Sequence, residues 1–291
     1  MLESMRCIVC GGDQAAGLAA WHGVCKSCNY ESAALAPAIN QAQEHDRLDE
    51  TQREAALRDI RNESFKVIVA HAKRHVAGPR PTLLDVGCAH GWFLEQASGD
   101  FAVLGVEPDE YVFKKTAAKG LPVRNGYFPD ILSPAEKFDV IVFNDVIEHI
   151  PQIGAALADV HARLNQDGVL ILNLPSSAGL FYRLSKLFKR LGVAGPFERM
   201  WQKGLPSPHV HYFNPENLRR LVGAKGFQEI ETFELPAVRA EGLLERIRCV
   251  GASGPAMVYL QYGLIRCAIP FLNLFRSDIV VCMFRKVPAP A

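Results

Sequence analysis

The sequence predicts a doubly wound α/β fold: a seven-stranded sheet, a small cysteine-rich unit ahead of it and helical insertions within it. Three observations predict this. From Thr82 onward, apolar runs of strand length alternate with helix-period segments. The first run ends in a glycine turn, "DVGCAHGW". Several runs then close on an acid or an amide: Asp85, Glu107, Asn144 and Asp145. Strand–helix alternation builds a parallel sheet, and right-handed crossovers bring every loop after a strand to one edge. That carboxyl edge is where such sheets bind ligands.

The bulk numbers narrow the class. The chain has 291 residues, 49% hydrophobic and 22% charged, enough for one substantial core with appendages. A formal net charge of +1 gives no general electrostatic case for nucleic acid. "MLESMRCIVCGG" has no apolar signal region, so a cytoplasmic location is expected. There, eight cysteines read as thiols or metal ligands rather than disulfides.

Residues 1–30 form the cysteine-rich unit. Cys7 and Cys10, then Cys25 and Cys28, are two CxxC pairs separated by fourteen residues. Each pair offers two thiolates from one tight turn, and four thiolates suit a closed, tetrahedral, structural Zn²⁺ site. So small a unit has almost no core, and the metal supplies its folding energy. Residues 31–78, rich in Ala, Glu, Gln and Arg, read as a helical linker ended by "GPRP".

Residues 79–287 hold the sheet. "TLLDVGC", "AVLGVEPD", "LPVRNG", "FDVIVFND" and "GVLILNLP" are five strands; "FQEIETFEL" and "SDIVVCMFRKV" are the last two. "NPENLRRLVGAKGF" is a helix with Asn214 as N-cap and Pro215 at its first position. Two insertions interrupt the pattern. Residues 176–208 follow the fifth strand, and their aromatics (Phe181, Tyr182, Phe188, Phe197, Trp201) are expected to form a lid over the site. Lys186, Lys189, Arg190, Arg199 and Lys203 face either solvent or an anionic acceptor. Residues 236–275 are apolar and helical but carry Gln261, Arg266 and Pro270, a poor membrane span. They read as a cap on the core, with a dimer or a bilayer interface as alternatives. Cys249, Cys267 and Cys282 read as buried small hydrophobes.

The glycine turn selects among cofactors. In G-x-G-x-x-G counted from Gly87, the third glycine falls on Trp92, too large for the packing beneath a pyrophosphate. No Lys-Ser/Thr follows, so it is not a phosphate-binding P-loop. Asp85 repels a pyrophosphate but tolerates a cation, and Glu107, ending the next strand, suits bidentate bonding to ribose hydroxyls. A sulfonium with an amino-acid tail and a ribose meets these conditions.

"LLDVGCAHGWFLE", "VLGVEPD", "NGYFPDI", "FDVIVFNDVIEHIP", "LNQDGVLILNLP" and "HVHYFNPENLRRLVGAKGF", in this order, resemble the class I S-adenosylmethionine-dependent methyltransferases, over about residues 60–287. The resemblance implies a Rossmann-like sheet with an antiparallel last strand. It implies that Asp85, Gly87 and Gly91 surround the methionine part of the cofactor and that Glu107 binds the ribose. It further implies Phe128 or a neighbour against the adenine and Asn144 near the sulfonium. Ala89 stands where many members have glycine, whereas Cys88 is common at its place.

"DVIEHIP" leaves three readings open. His149 is a general base. Or Asp145, Glu148 and His149 hold Mg²⁺ or Mn²⁺, as the similar E-x-x-E-H motif does in ubiquinone-pathway O-methyltransferases and in enzymes that methylate the 2′-OH of small RNAs, with His209 or His211 as a further ligand. Or Glu148 and His149 are structural. The expected activity is methyl transfer, to an oxygen of a small-molecule acceptor: a sugar, a glycan or lipid precursor, or a quinone-like phenol. An anionic or lipid-linked acceptor and a peripheral membrane contact are compatible with it. The alternatives are a metal-assisted RNA 2′-O-methyltransferase and a non-catalytic zinc-ribbon scaffold. Nucleic acid is not the expected partner, and oligomeric state is not legible.

Overall fold

The computed structural model describes residues 6–37, 50–240, 242–250 and 255–287. The start of the N-terminal segment, residues 38–49 of the linker reading and the Cys249 side chain lie outside the described residues.

The cysteine unit folds as three short antiparallel strands, β1 (Gln14–Ala16), β2 (His22–Cys25) and β3 (Glu31–Ala33). Its sheet thus extends past residue 30, where the sequence reading ended it. The two cysteine turns match: Gly11 N donates to Cys7 O at 2.8 Å and Asn29 N to Cys25 O at 2.9 Å. Gly11 (φ 73°) and Asn29 (φ 57°) close them in the left-handed region, which glycine and asparagine tolerate best.

Helix α1 (Glu50–His75) is a wall of the core rather than a linker. Phe65, Ile68, Val69 and Ala72, at i, i+3, i+4 and i+7, are buried against the sheet. The glycine turn and α2 (Trp92–Ala97) follow β4 (Thr82–Val86). Then come β5 (Ala102–Glu107), α3 (Glu110–Ala117), β6 (Val123–Asn125), β7 (Phe138–Asn144), α4 (Ile153–Arg163) and β8 (Leu164–Pro175). Leu164 belongs to the strand, not to the preceding helix, because it pairs with Phe138.

The first insertion forms α5 (Leu180–Arg190) and α6 (Gly195–Met200) and returns through the short β9 (His211–Tyr212). Helix α7 (Pro215–Gly223) starts at Asn214, whose capping box with Asn217 satisfies two backbone N–H groups. After β10 (Phe227–Leu235), α8 (Leu243–Val250) and α9 (Pro255–Leu272) make up the second insertion, and β11 (Ile279–Lys286) completes the sheet.

The order of the seven strands is β10-β11-β8-β7-β4-β5-β6. β4 to β8 are parallel, and β11 runs antiparallel between β8 and β10. β7 shows why its sequence is continuously apolar. Val140 and Val142 face α1, while Ile141 and Phe143 face α4 and α7, so both sides are buried. Each such side chain contributes about 1.5–3 kcal/mol by leaving water.

Two expectations fail in the insertions. The aromatics Tyr182, Phe197 and Trp201 are buried, but against Trp21 and His22 of the cysteine unit rather than as a free lid. The second insertion is not core. Met257, Tyr259, Leu260, Leu264 and Phe271 of α9 are exposed, and so is Cys267; Cys282 is buried as read. The apolar stripe was legible, but among the described residues its outer side is left open.

Candidate functional site

Three groups of residues carry the chemistry. The first lies at the carboxyl ends of β4 and β7. The turn after β4 places Gly87 (φ 71°), Ala89 (φ 44°) and Gly91 (φ 75°) in the left-handed region. A Cβ on Gly87 would come within 2.7 Å of Val146, and one on Gly91 within 2.4 Å of Leu121, so both must stay bare. Ala89 accepts a strained backbone, at a cost of about 1 kcal/mol. Its carbonyl accepts a hydrogen bond from Thr116 Oγ1 at 2.7 Å, and Lys119 Nζ holds His90 O at 2.9 Å, so α3 pins the turn from outside.

Asp85, Gly87, Cys88, Asn144 and Asp145 line one pocket together, as the sequence reading required of their shared edge. Asn173 donates to Asn144 Oδ1 and Asn144 to Asp85 Oδ1, both at 3.3 Å, a buried amide chain ending on the acid. Burial pushes the Asp85 carboxyl up to about 8; the Asn144 hydrogen bond opposes this and the charge of Glu107 adds to it. Glu107 is pushed up to about 7, again by burial. It accepts from Ala89 N and Asp109 N, each at 2.9 Å. It therefore braces the turn from behind, leaving the remaining lone pairs of its carboxylate for a ligand. Phe128 packs edge-on against Phe143 at 6.0 Å. Gly91, Glu107 and Phe128 do not themselves form the pocket wall.

The same pocket holds residues the sequence reading missed. Arg61 and Phe65 reach it from α1, and Arg61 pairs with Asp145 at 3.1 Å. His90 and Trp92, whose rings lie 4.9 Å apart, complete the wall. The i, i+4 spacing of Arg61 and Phe65 was a usable signal; that α1 crosses the sheet edge was not in the sequence.

The donor set fits a cationic nucleoside ligand. A buried acid at the floor lacks a counter-charge of its own, a second acid stands at the next strand end, and two glycines of the turn between them leave its backbone open to approach.

The second group surrounds the 3₁₀ turn Ile147–His149. His149 Nδ1 lies 2.9 Å from Pro208 O. A carbonyl only accepts, so Nδ1 carries the proton and Nε2 keeps a bare lone pair. Gln202 Nε2 is 2.9 Å from His209 Nε2, which makes that nitrogen an acceptor as well. These two imidazole nitrogens lie 4.0 and 3.9 Å from Glu148 Oε1. Glu148 is buried, and neither of its oxygens has a hydrogen-bond partner among the described residues. Burial, reinforced by the charge of Asp145, holds its carboxyl far above the usual range. Burial lowers His149, against the pull of Pro208 and Asp145, and brings His209 down to about 3 with help from His149.

This differs from the ligand set read from the sequence. Ligand atoms of Glu148, His149 and His209 lie within 4.8 Å of one another, while Asp145 turns toward Arg61 instead. His209 and His211 have separate partners. Only His211 is in β9, where its ring bonds Tyr30 Oη and Ile150 O.

The third group is Cys7, Cys10, Cys25 and Cys28, whose sulfurs also lie within 4.8 Å of one another, with Cys7–Cys28 and Cys10–Cys25 at 3.5 Å. Four thiolates around one zinc ion stand about 3.8 Å apart, so the cluster fits that ion.

Known proteins resemble this chain in sequence and in fold. A family model described as a methyltransferase domain matches residues 49–232. A ubiquinone biosynthesis O-methyltransferase of Paramagnetospirillum magneticum is 37% identical over 112 residues, which is 35% of this chain and 45% of that protein. Another of the same name, from Azorhizobium caulinodans, is 24% identical over 176 residues, 57% of this chain and 67% of that protein. The chain thus spans about half the length of the first of these relatives. Among solved structures, a SAM-dependent methyltransferase from Thermotoga maritima superposes with a TM-score of 0.54 at 16% identity, covering 83% of this chain and 96% of its own. One from Archaeoglobus fulgidus gives 0.51 at 17% identity, covering 79% and 97%. At such identity these structures speak to the fold.

Proposed function

This chain belongs to the class I S-adenosylmethionine-dependent methyltransferases, and from that premise we propose that it methylates an oxygen of a small-molecule acceptor. The cluster of Glu148, His149 and His209 carries this reading. A hydroxyl attacking a methyl group must shed its proton. His149, locked on Pro208 through Nδ1, offers an unprotonated Nε2 at neutral pH. The family's cofactor supplies an electrophilic methyl on a sulfonium. Asp85 compensates the cationic end of that ligand, Glu107 receives its ribose, and the Gly87–Gly91 turn lets the backbone approach it. Asn144 and Asp145 close the floor between cofactor and acceptor. The curated relatives named as O-methyltransferases support oxygen as the target.

One observation favours a second reading of the same cluster. The free lone pair of His149 Nε2 and the unpartnered carboxyl of Glu148 converge beside His209 Nε2, whose lone pair a cation could take once the Gln202 amide that now donates to it turns away. A divalent cation satisfies all three, and two histidines with one carboxylate suit a first-row metal. Such an ion would grip a diol or catechol acceptor.

The test begins with calorimetric titration of S-adenosylhomocysteine. Micromolar binding is expected, weakened by about 2 kcal/mol or more in Glu107→Ala. A folded protein that binds none would refute the methyltransferase site. His149→Gln should then lower methyl transfer to a catechol by about 10²–10⁴-fold with cofactor affinity intact. Mn²⁺ titration followed by electron paramagnetic resonance separates the readings: binding lost in His209→Ala supports the cation, and no binding leaves the base.

A further inference from the structure

The largest feature not used by the methyl-transfer reading is an apolar surface on the two insertions. On α9, Leu260, Leu264 and Phe271 are 56%, 63% and 67% exposed, on a stripe that repeats every three to four residues. On α5, Leu187 and Phe188 are 48% and 45% exposed, and the C-cap residue Leu191 is 70% exposed. Large apolar side chains left open in a row mark a contact surface. The two stripes leave one junction. Leu180 N, at the start of α5, donates to Arg276 O just past α9, and Asp278 accepts from Phe181 N and Tyr182 N. That junction lies at the carboxyl end of β8, since Ser176 N donates to Asp278 O. The inner face of α5, through Tyr182, packs with Trp201 and Tyr212 beside His209. The apolar face is therefore the outer side of the wall that bounds the His149–His209 cluster.

Charge decides what covers it. Neither α5 nor α9 contains an Asp or Glu. Arg183, Lys189 and Arg190 flank the α5 stripe. A second copy on this face would set those cations against each other with no acid on either helix to answer them. Anionic headgroups answer them. No described helix is long and apolar enough to cross a membrane, whereas an apolar stripe flanked by cations has the pattern of a helix that lies in a bilayer surface.

We propose that the outer faces of α5 and α9 dock the protein on an anionic bilayer, so that the acceptor is an amphiphile drawn from that membrane. The docking stands on these faces alone; the nature of the acceptor rests on the methyl-transfer reading above.

The experiment is co-sedimentation of the full chain with vesicles of phosphatidylcholine, with and without phosphatidylglycerol. Binding is expected to the anionic vesicles only and should weaken as salt rises. Leu187→Glu combined with Leu264→Glu should lower the bound fraction by about tenfold, at unchanged affinity for S-adenosylhomocysteine. Arg183→Glu with Arg190→Glu should do the same without touching the apolar stripe. The proposal is overturned if wild-type protein that binds S-adenosylhomocysteine stays with the supernatant, or if the variants sediment like wild type. It is overturned equally if Leu264→Glu breaks a dimer and leaves vesicle binding unaltered. Vesicle binding without S-adenosylhomocysteine binding would sink the methyl-transfer reading and leave the docking standing.

Discussion

Asp85 is a carboxyl group held where ionisation is costly, and that gives it a pH signature. Burial raises it to about 8, far above an unfolded aspartate. Below the ordinary carboxylate range both states are protonated and folding is not taxed. As pH rises toward about 8 the unfolded chain ionises freely while the folded one resists, so stability conferred by the neutral form is lost. A cationic ligand reverses the preference. Its affinity should rise by up to about tenfold per pH unit below about 8, then level off, with a proton released on binding. Titration of S-adenosylmethionine in buffers of different ionisation enthalpy measures that proton. Glu107, raised to about 7, titrates in the same window. Asp85→Asn is therefore needed: it should abolish most of the pH dependence, and an unchanged slope would assign the proton to Glu107. At this scale the sequence was most legible where residues share a strand end. Asp85, Asn144 and Asp145 meet because parallel strands finish on one edge. Arg61 and His209 come from a helix and a returning loop; the sequence offered both residues, but the crossing that brings each to its place depends on tertiary packing.

Elements joined by distant strand pairing show the same limit more sharply. β3 pairs with β9, Glu31 opposite Tyr212, and ties the cysteine unit to the loop that carries His209 and His211. Glu31 is the knot: it accepts from His22 and Tyr182 at 2.8 Å and from Lys186 at 2.6 Å. Lys186, read as facing either solvent or an anionic acceptor, is paired with Glu31 instead. Val210 N donates to Glu148 O and its carbonyl accepts from Ala33 N, so one residue links β3 to the 3₁₀ turn. Removing the Glu31 carboxylate strands a buried histidine, a buried tyrosine hydroxyl and a half-buried lysine. Glu31→Ala should cost about 3–5 kcal/mol, read as a lowered midpoint in urea unfolding. It should depress acceptor turnover more than cofactor affinity, because the cofactor pocket draws on β4, β7 and α1 instead. Equal losses in both would contradict that division. Helix α9 carries the complementary lesson. Its periodicity was readable, but periodicity records an apolar face and not what lies against it.

For the molecule as a whole, the seven-stranded sheet was legible because its strands alternate with helices in order, whereas the four-stranded sheet β1-β2-β3-β9 pairs the N-terminal unit with a strand about 180 residues further along the chain. That second sheet gives the cysteine cluster a role beyond stapling the N-terminus. Val9, Cys25 and Tyr30 are buried in the same core cluster as Phe213 and Leu218, and Trp21 stacks on Phe197 at 5.6 Å. If zinc supplies the folding energy of this unit, about 10–16 kcal/mol of binding energy stands behind that wall. Stripping the metal with a chelator should then dissolve β1–β3, loosen α5 and α6, and disorder the His149–His209 cluster while the cofactor pocket survives. The three tryptophans make this measurable. Trp92 belongs to the cofactor pocket, but Trp21 and Trp201 meet at 5.7 Å where the cysteine unit joins the insertion. In a Trp92→Phe protein, fluorescence therefore reports on that junction alone. Chelation should shift its emission to the red and abolish methyl transfer, with S-adenosylhomocysteine affinity changed less than about threefold. Re-addition of Zn²⁺ should restore both signals together. An affinity that falls in step with zinc would mean that the cysteine unit supports the whole fold rather than the acceptor side of it.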